Sequence, residues 1–168
     1  MELQRLDRRH QTALLRFETE NRAWFARSVP DRGDAYFADF AARHAALLEE
    51  QAAGVCHFHV LVDPVGAVLA RVNLVDVADG GAELGFRVAE RVAGRGVATT
   101  AVRRVCVLAR DEYGLRRLIA DAARDNAGSR KVLRRTGFEP VGEVMLAGRP
   151  GIRHVRDLTA GEPAQPGA

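Results

Sequence analysis

The sequence of 168 residues contains two cysteines, one lysine, one tryptophan and no long apolar run. Cys56 and Cys106 each sit in an apolar pattern, so we expect buried thiols rather than a disulfide or a metal pair. No run is apolar enough to span a bilayer, and Met1–His10 lacks the apolar segment of a secretory signal. We therefore expect a cytoplasmic protein that does not bind membranes.

The net charge of +3 and the pI of about 9.4 come almost entirely from arginine, since Lys131 is the only lysine. These arginines are spread along the chain rather than arranged in a stripe, which disfavours nucleic acid as a partner. His57 and His59 share a predicted strand face without a third ligand at suitable spacing. We expect both to be surface or half-buried residues, and we expect no metal.

The length fits a single domain, which we place at residues 1–158. The Gly/Pro/Ala-rich residues 159–168 are predicted to be a disordered tail. Alternating apolar residues predict strands at 2–6, 55–62, 67–77, 82–88, 117–123, 141–146 and 152–158. Helical spacing predicts helices at 8–25, 34–53, 97–113 and 126–136, the second capped by Asp34 and the last by Asn126. The order β-α-α-β-β-β-α-β-α-β-β predicts an α/β protein, with an antiparallel meander followed by a parallel crossover.

The stretch 82–99 joins a predicted strand to a predicted helix through a basic turn that contains Gly94 and Gly96. A strand, a glycine turn and a helix start bring free backbone N–H groups together, which favours phosphate binding. Glycine would let a ligand approach the backbone closely; alternatively, the two glycines only shape the connection. The turn is neither a P-loop nor a full dinucleotide fingerprint, because Thr99 stands where the latter has its third small residue.

The spacing Arg91-x-x-Gly94-x-Gly96-x-Ala98, after the strand 82–86, resembles the coenzyme A signature of the GNAT superfamily of acetyl-CoA-dependent N-acyltransferases. The stretches 125–129 and 133–139 resemble the second half of that family's core. The Asn126-x-x-Ser129 spacing and the Gly137-Phe138 pair resemble the RimJ/RimL-type branch, which acetylates the N-termini of ribosomal proteins. The resemblance implies a GNAT-like mixed sheet whose central strands splay apart to admit the cofactor.

By this resemblance, acetyl-CoA is the co-substrate. The backbone N–H groups of 92–98 would hold the pyrophosphate, and Arg91 and Arg95 would add charge unless they are only solvated. The end of the strand would pair with the pantetheine arm and present an N–H to the thioester carbonyl. The implied cofactor-binding residues are Phe86, Arg87, Val88, Arg91, Val92, Ala93, Gly94, Arg95, Gly96, Val97, Ala98, Thr99, Asn126 and Ser129. Arg130 and Lys131 could meet the 3′-phosphate or lie on a solvated helix face.

The resemblance also implies two catalytic residues. Acetyl transfer needs a base for the amine and a proton for the leaving thiolate. Glu83 would be the base, acting through water with a pKa raised by burial, or else a solvent-facing residue of a half-exposed sheet. Asn126 would bond the cofactor arm, although capping alone explains it. Because no tyrosine follows Tyr113, Ser129 or water would be the proton donor.

The acceptor amine would bind between the first two helices and the last hairpin. Trp24, Phe25, Tyr36 and Phe37 could line this pocket, with Glu18, Asp31 and Asp34 near the incoming amine; core packing explains the aromatic residues equally well. We expect transfer from acetyl-CoA to a primary amine by direct attack in a ternary complex. The acceptor would be a protein N-terminus or a small molecule, and the protein a monomer or homodimer. The alternative is a non-catalytic acyl-CoA sensor or interaction domain.

Overall fold

The structure, a computed structural model, describes residues 1–160 and contains a seven-stranded mixed sheet. Neighbouring strands follow the order β1-β2-β3-β4-β5-β7-β6, and all pairs are antiparallel except β4 with β5. The predicted meander and parallel crossover are therefore confirmed. The strands are β1 Glu2–Arg5, β2 His57–Val62, β3 Val68–Ala78, β4 Gly81–Val88, β5 Arg117–Ala123, β6 Glu139–Leu146 and β7 Arg149–Asp157.

Helices cover both faces of the sheet in the predicted order. One apolar cluster lies between the sheet and α5 and α6, and the other between the sheet and the earlier helices. Such a two-faced arrangement is what a mixed α/β sheet requires to bury its apolar side chains. The helices are α1 Gln11–Glu20, α2 Arg22–Ala26, α3 Asp34–Ala38, α4 Phe40–Ala52, α5 Val97–Asp111 and α6 Ala127–Arg135, with 3-10 turns at Arg8–His10 and Glu90–Val92.

The first predicted helix, 8–25, is divided by Asn21. The Asn21 side chain donates from Nδ2 to the carbonyl of Phe17 at 2.8 Å, and its Oδ1 accepts from the N–H of Glu90 at 2.9 Å. A side chain that bonds the backbone of its own helix competes with the helical ladder. The same amide also ties the α1–α2 junction to the segment that follows β4.

The second predicted helix, 34–53, is also divided, at Asp39, and the prediction that Asp34 caps it was wrong. Gly33, at a φ of 80°, occupies the N-cap position, and Asp34 lies inside the first turn. The Asp34 carboxylate instead binds Arg22 at 2.8 Å. That ion pair joins α3 to α2, so the side chain serves a contact between helices rather than a helix end.

The strands β4 and β5 separate after a short parallel pairing. Gly81, Ala82 and Glu83 are paired with β5, the last of them with Ile119, and the rest of β4 pairs with no strand on that side within residues 1–160. The expected splay of the central strands is thus confirmed. On its other edge β4 stays in register with β3 as far as Val88.

The burial of the two cysteines agrees with the sequence-based prediction, whereas the burial of the two strand histidines does not. Cys56 and Cys106 are both buried thiols, as expected. His57 and His59 are buried rather than half-exposed, because Tyr113 at the end of α5 covers them. Its ring stacks on His57 with centroids 3.7 Å apart, and its hydroxyl lies 2.7 Å from His59 Nε2.

The end of the predicted domain at residue 158 coincides with a buried leucine. The N–H of Leu158 donates to the carbonyl of Arg116 at 2.8 Å, which ties the end of β7 to the start of β5. The predicted disordered tail falls mostly on residues 161–168, which lie outside the described residues, so it stays a prediction. Over residues 1–160, no helix combines the length and hydropathy needed to cross a bilayer.

The burial of His59 predicts a loss of stability in acid. Burial, and then the charge of Arg5, lowers the pKa of His59 to about 4 from 6.5. Because the unfolded chain binds the proton more readily, the stabilising effect is complete above about pH 6.5 and is lost as the pH falls towards 4. We expect the free energy of unfolding to fall by on the order of 3 kcal/mol over that range. Urea denaturation of His59→Gln should show a clearly shallower fall; an identical pH dependence would contradict this.

Candidate active site

A cleft of about 340 Å³ opens where β4 and β5 separate. Four parts of the chain form its walls: α2 with the loop after it, the end of β4, the glycine turn with the first turn of α5, and α6. A site at the point where parallel strands diverge is the usual position of ligands in open α/β sheets. The lining residues are Trp24, Phe25, Ser28, Val29, Phe86, Arg87, Val88, Val92, Ala93, Gly94, Gly96, Val97, Ala98, Thr99, Asn126, Gly128, Ser129, Lys131, Val132 and Arg135.

The glycine turn presents uncapped backbone donors to the cleft. Gly96 lies at a φ of 79° at the N-cap position of α5, and no side chain caps this helix. Within residues 1–160, nothing accepts a hydrogen bond from the N–H groups of Gly96 and 97–99. A Cβ built on Gly96 would meet no atom within 4 Å, so the space beside these donors is open. Open donors at a positive helix end fit a phosphate group.

Other N–H groups of the predicted phosphate site are already used. Those of Val92, Ala93 and Arg95 donate to carbonyls within the turn itself. Within 92–98, the N–H groups that remain open are those of Gly94, in the turn, and of Gly96, Val97 and Ala98, at the start of α5. Most of the open donors therefore lie at the helix end of that range.

The basic residues predicted to meet the phosphates differ in whether they line the cleft. Arg91 and Arg95 are absent from the cleft lining; Arg91 is 55% exposed, with Nη2 3.7 Å from a carboxylate oxygen of Asp63. Arg130 donates to the carbonyl of Arg124 at 3.0 Å and does not line the cleft either. Lys131 does line it, and so does Arg135, which lies in the stretch 133–139 but was given no role from the sequence. The roles implied for Arg91 and Arg95 stay predictions.

The end of β4 turns alternate backbone groups towards the cleft. The carbonyl of Val88 accepts a hydrogen bond from Trp24 Nε1 at 3.1 Å, whereas the N–H of Ala89 donates to Leu69 beside β3. In a strand, the N–H and C=O of one residue face the same edge, and so do those of residues two apart. Phe86 and Val88 therefore face the gap, and the backbone of Arg87 faces β3. Only Phe86 has both of its gap-facing groups without a partner in the described chain.

Two residues at the start of α6 lie on the opposite wall. Asn126 Oδ1 accepts from the N–H of Ser129 at 3.1 Å, so the predicted cap of this helix is confirmed. Both residues line the cleft. Within the described chain the Ser129 hydroxyl has no hydrogen-bond partner, which leaves it available to a bound molecule.

Glu83 lies beside the cleft rather than in its lining. It is the last residue of β4 that pairs with β5, and its side chain is exposed. Partial desolvation, followed by the charges of Asp121 and Asp76, nevertheless raises the pKa of Glu83, against the opposing charge of Arg153. Asp121 itself is held by Arg153 through two hydrogen bonds of 3.0 and 2.8 Å. A raised pKa is what a carboxylate base at neutral pH requires.

The four candidate aromatic residues divide into two pairs. Trp24 and Phe25 line the cleft, whereas Tyr36 and Phe37 do not. Tyr36 is buried and packs edge-on against Phe37 and Phe40, which is a core role. Phe37 borders a small recess next to the cleft.

The three acidic residues expected near the amine are already paired. Glu18 is 1% exposed and binds Arg71 at 3.1 Å and Arg87 at 2.9 Å. Asp31 and Asp34 both bind Arg22, which holds the pKa of Asp31 at about 2. Sequence reasoning missed the Glu18 network because Arg71 is 53 positions away.

Comparison with known proteins identifies the family. The profile described as acetyltransferase (GNAT) domain matches residues 1–139. The chain belongs to the GNAT acetyltransferase family. It is thus an acetyl-CoA-dependent N-acetyltransferase, and the uncapped end of α5 fits the phosphate groups of that co-substrate. No curated protein sequence matches the chain.

Several solved acetyltransferase structures share this fold. Ribosomal-protein-S5-alanine acetyltransferase from Vibrio fischeri has a TM-score of 0.88 and 20% identity, over 96% of this chain and 94% of that one. Mycobacterium smegmatis RimJ, in complex with CoA-disulfide, has a TM-score of 0.82 and 21% identity, over 92% and 80%. A point mutant of spermidine N-acetyltransferase SpeG from Vibrio cholerae has a TM-score of 0.76 and 14% identity, over 95% and 96%.

Metal ligands do not assemble in the described part of the chain. Over residues 1–160, no three His, Cys, Asp or Glu side chains come together in a group that could hold an ion. His57 and His59 contact Tyr113 instead.

Substitutions at two glycines with the same backbone geometry can distinguish an effect on ligand binding from an effect on stability. Gly96 and Gly148 both lie at a φ of 79° with open space around a built Cβ, but only Gly96 adjoins the cleft. We expect each substitution to Ala to cost about 1–2 kcal/mol of stability through left-handed strain. Only Gly96→Ala should also weaken acetyl-CoA binding, by about tenfold or more, because the methyl group would enter the open space beside the uncapped donors. Calorimetric titration of both variants tests this; equal affinities would contradict the assigned site.

Proposed function

We propose that this acetyltransferase modifies the α-amine of a polypeptide N-terminus. The observation that carries the proposal is the second wall of the cleft, where Trp24 and Phe25 of α2 face the free edge of β4. The pantetheine arm would pair with that edge, so the two aromatic side chains form the apolar wall that an incoming polypeptide N-terminus would meet beside the thioester. Likeness in fold to the acetyltransferase for ribosomal protein S5 alanine supports the same acceptor class.

Acetyl-CoA supplies the activated acyl group, so the protein needs no nucleophile of its own. Glu83 would accept the proton of the amine through a water molecule, which its raised pKa favours near neutral pH. The N–H of Phe86 would donate to the carbonyl oxygen as negative charge develops there. The Ser129 hydroxyl, which has no partner within the described chain, would protonate the leaving sulfur.

A small polyamine is the second candidate acceptor. Burial and then the charges of Asp121 and Asp76 raise the pKa of Glu83, and the charge of Arg153 acts against them. An excess of carboxylates beside the gap would suit a substrate with several ammonium groups. The solved spermidine N-acetyltransferase with the same fold supports this alternative.

A panel of amines distinguishes the candidates. We expect acetyl-CoA to be consumed with alanine- or serine-initiated peptides, and kcat/KM for spermidine to be at least tenfold lower. The reverse order would favour the polyamine, and acetyl-CoA binding without turnover on any amine would favour a sensor. Mass spectrometry of the products places the acetyl group on the α-amine or a side chain.

The role of Glu83 predicts a large effect on turnover alone. We expect Glu83→Gln to lower kcat about 100-fold while acetyl-CoA affinity stays unchanged. In the unaltered enzyme, kcat/KM should rise with pH through the raised pKa of Glu83, and this limb should disappear in the variant. Glu49→Gln, at an exposed position of α4, is the matched control. Retention of full activity by Glu83→Gln would remove the base from the mechanism.

A further inference from the structure

An unusual excess of positive charge lies next to the acceptor side of the cleft. Three guanidinium groups surround the single buried carboxylate of Glu18: Arg71 at 3.1 Å, Arg87 at 2.9 Å and Arg32 at 3.9 Å. The adjoining ion pairs join Arg22 to Asp31 and Asp34. The group therefore contains four guanidiniums and three carboxylates, and one positive charge lacks a counterpart within it.

Arg87 is the member of this group that reaches the cleft. It borders both the cleft and the small recess formed by Glu18, Phe25, Arg32 and neighbouring residues. Its hydrogen bond to Glu18 uses Nη1, and within residues 1–160 no acceptor lies at its Nε or Nη2. Burial and the charges of Arg32 and Arg71 lower its pKa, against the charge of Glu18. A half-buried guanidinium with open donors is suited to bind a carboxylate.

The spacing along β4 relates this cation to the reacting amine. One face of β4 carries Glu83, Gly85 and Arg87 at every second position, and the opposite face carries the buried Leu84. Gly85 leaves open space, since a Cβ built there meets no atom within 4 Å. Residues two apart on a strand are separated by about 7 Å, so a group beside Gly85 lies about equally far from Glu83 and Arg87.

We infer that Arg87, assisted by Arg32, selects polypeptide N-termini whose second residue is acidic. The inference rests on the proposed N-terminal acceptor. With the amine beside Gly85, the side-chain carboxylate of the second residue reaches the open donors of Arg87. Glu83 then lies on the other side of the amine. Along this face of β4, the carboxylate of Glu83, the open space beside Gly85 and the guanidinium of Arg87 follow one another. The acceptor would present its ammonium group to Glu83 and its carboxylate to Arg87.

Three peptides that differ only at the second position test the preference. Peptides that begin Ala-Glu, Ala-Gln and Ala-Lys and are otherwise identical should differ in kcat/KM, with Glu at least tenfold above Gln, because a charge-assisted hydrogen bond is gained. The Lys peptide should be the poorest. The preference should shrink as salt screens the interaction. Equal rates, or a preference for Lys, would overturn the inference.

Arginine variants locate the preference. We expect Arg87→Gln to bring the Glu-to-Gln ratio close to one. The ratio is taken within the variant, so a general fall in kcat/KM does not enter it, and Glu18 remains paired with Arg71. Arg32→Gln should reduce the ratio severalfold. This variant replaces Arg87→Gln as the test if Arg87→Gln fails to fold. Arg16→Gln, on the exposed side of α1, is the control and should keep the full ratio. An unchanged ratio in Arg87→Gln or, should that variant not fold, in Arg32→Gln would overturn the assignment.

Binding measurements separate this inference from the proposed function. Calorimetric titration of the peptides into the protein saturated with coenzyme A requires no turnover. Tighter binding of the Glu peptide than of the Gln peptide would support the inference even if no peptide were acetylated. Absence of turnover would then count against the proposed function alone, and equal affinities against the inference alone.

Discussion

The departure of β4 from β5 is the constraint on which the rest of the site depends. Each strand is held on its outer edge, β4 by β3 as far as Val88 and β5 by β7 along its whole length. The two strands therefore diverge without unravelling. Beyond Glu83 the inner edge of β4 has no strand partner within residues 1–160, although its last carbonyl, that of Val88, accepts from Trp24. Unpaired backbone groups away from water are costly, so this edge requires a hydrogen-bonding ligand or ordered water. A strand-like molecule is the natural occupant of that space.

The helix α5 supplies the second half of the same arrangement. Its inner face is buried through small and branched residues, which let it lie close against the sheet. That packing fixes the uncapped N-terminus of the helix at the mouth of the gap. The cleft thus has open donors at a helix end, whereas the side chains of Arg91 and Arg95 do not line it. An extended arm bound at this end can run directly along the free edge of β4.

Local signals predicted the parts of the site that are local in sequence. The glycine turn, the start of α5 and the cap of α6 each lie within a few consecutive residues, and their spacing was sufficient. The ion pairs of the buried Glu18 could not be predicted, because its partners Arg71 and Arg87 are 53 and 69 positions away in the sequence. Asn21 divided a predicted helix for the same reason, since it bonds Glu90 across the fold.

The buried Glu18 connects elements of the cleft that are far apart in the sequence. It joins α1 to β3 through Arg71 and to β4 through Arg87, and Arg87 in turn lies 4.8 Å from the ring centre of Phe25 on α2. Trp24, next to Phe25, bonds the final carbonyl of β4. The wall of the cleft formed by α2 is therefore attached to β4 by polar contacts at fixed positions, and apolar packing alone would not fix that register. A buried carboxylate that does not line the cleft thus determines where the cleft-facing groups lie.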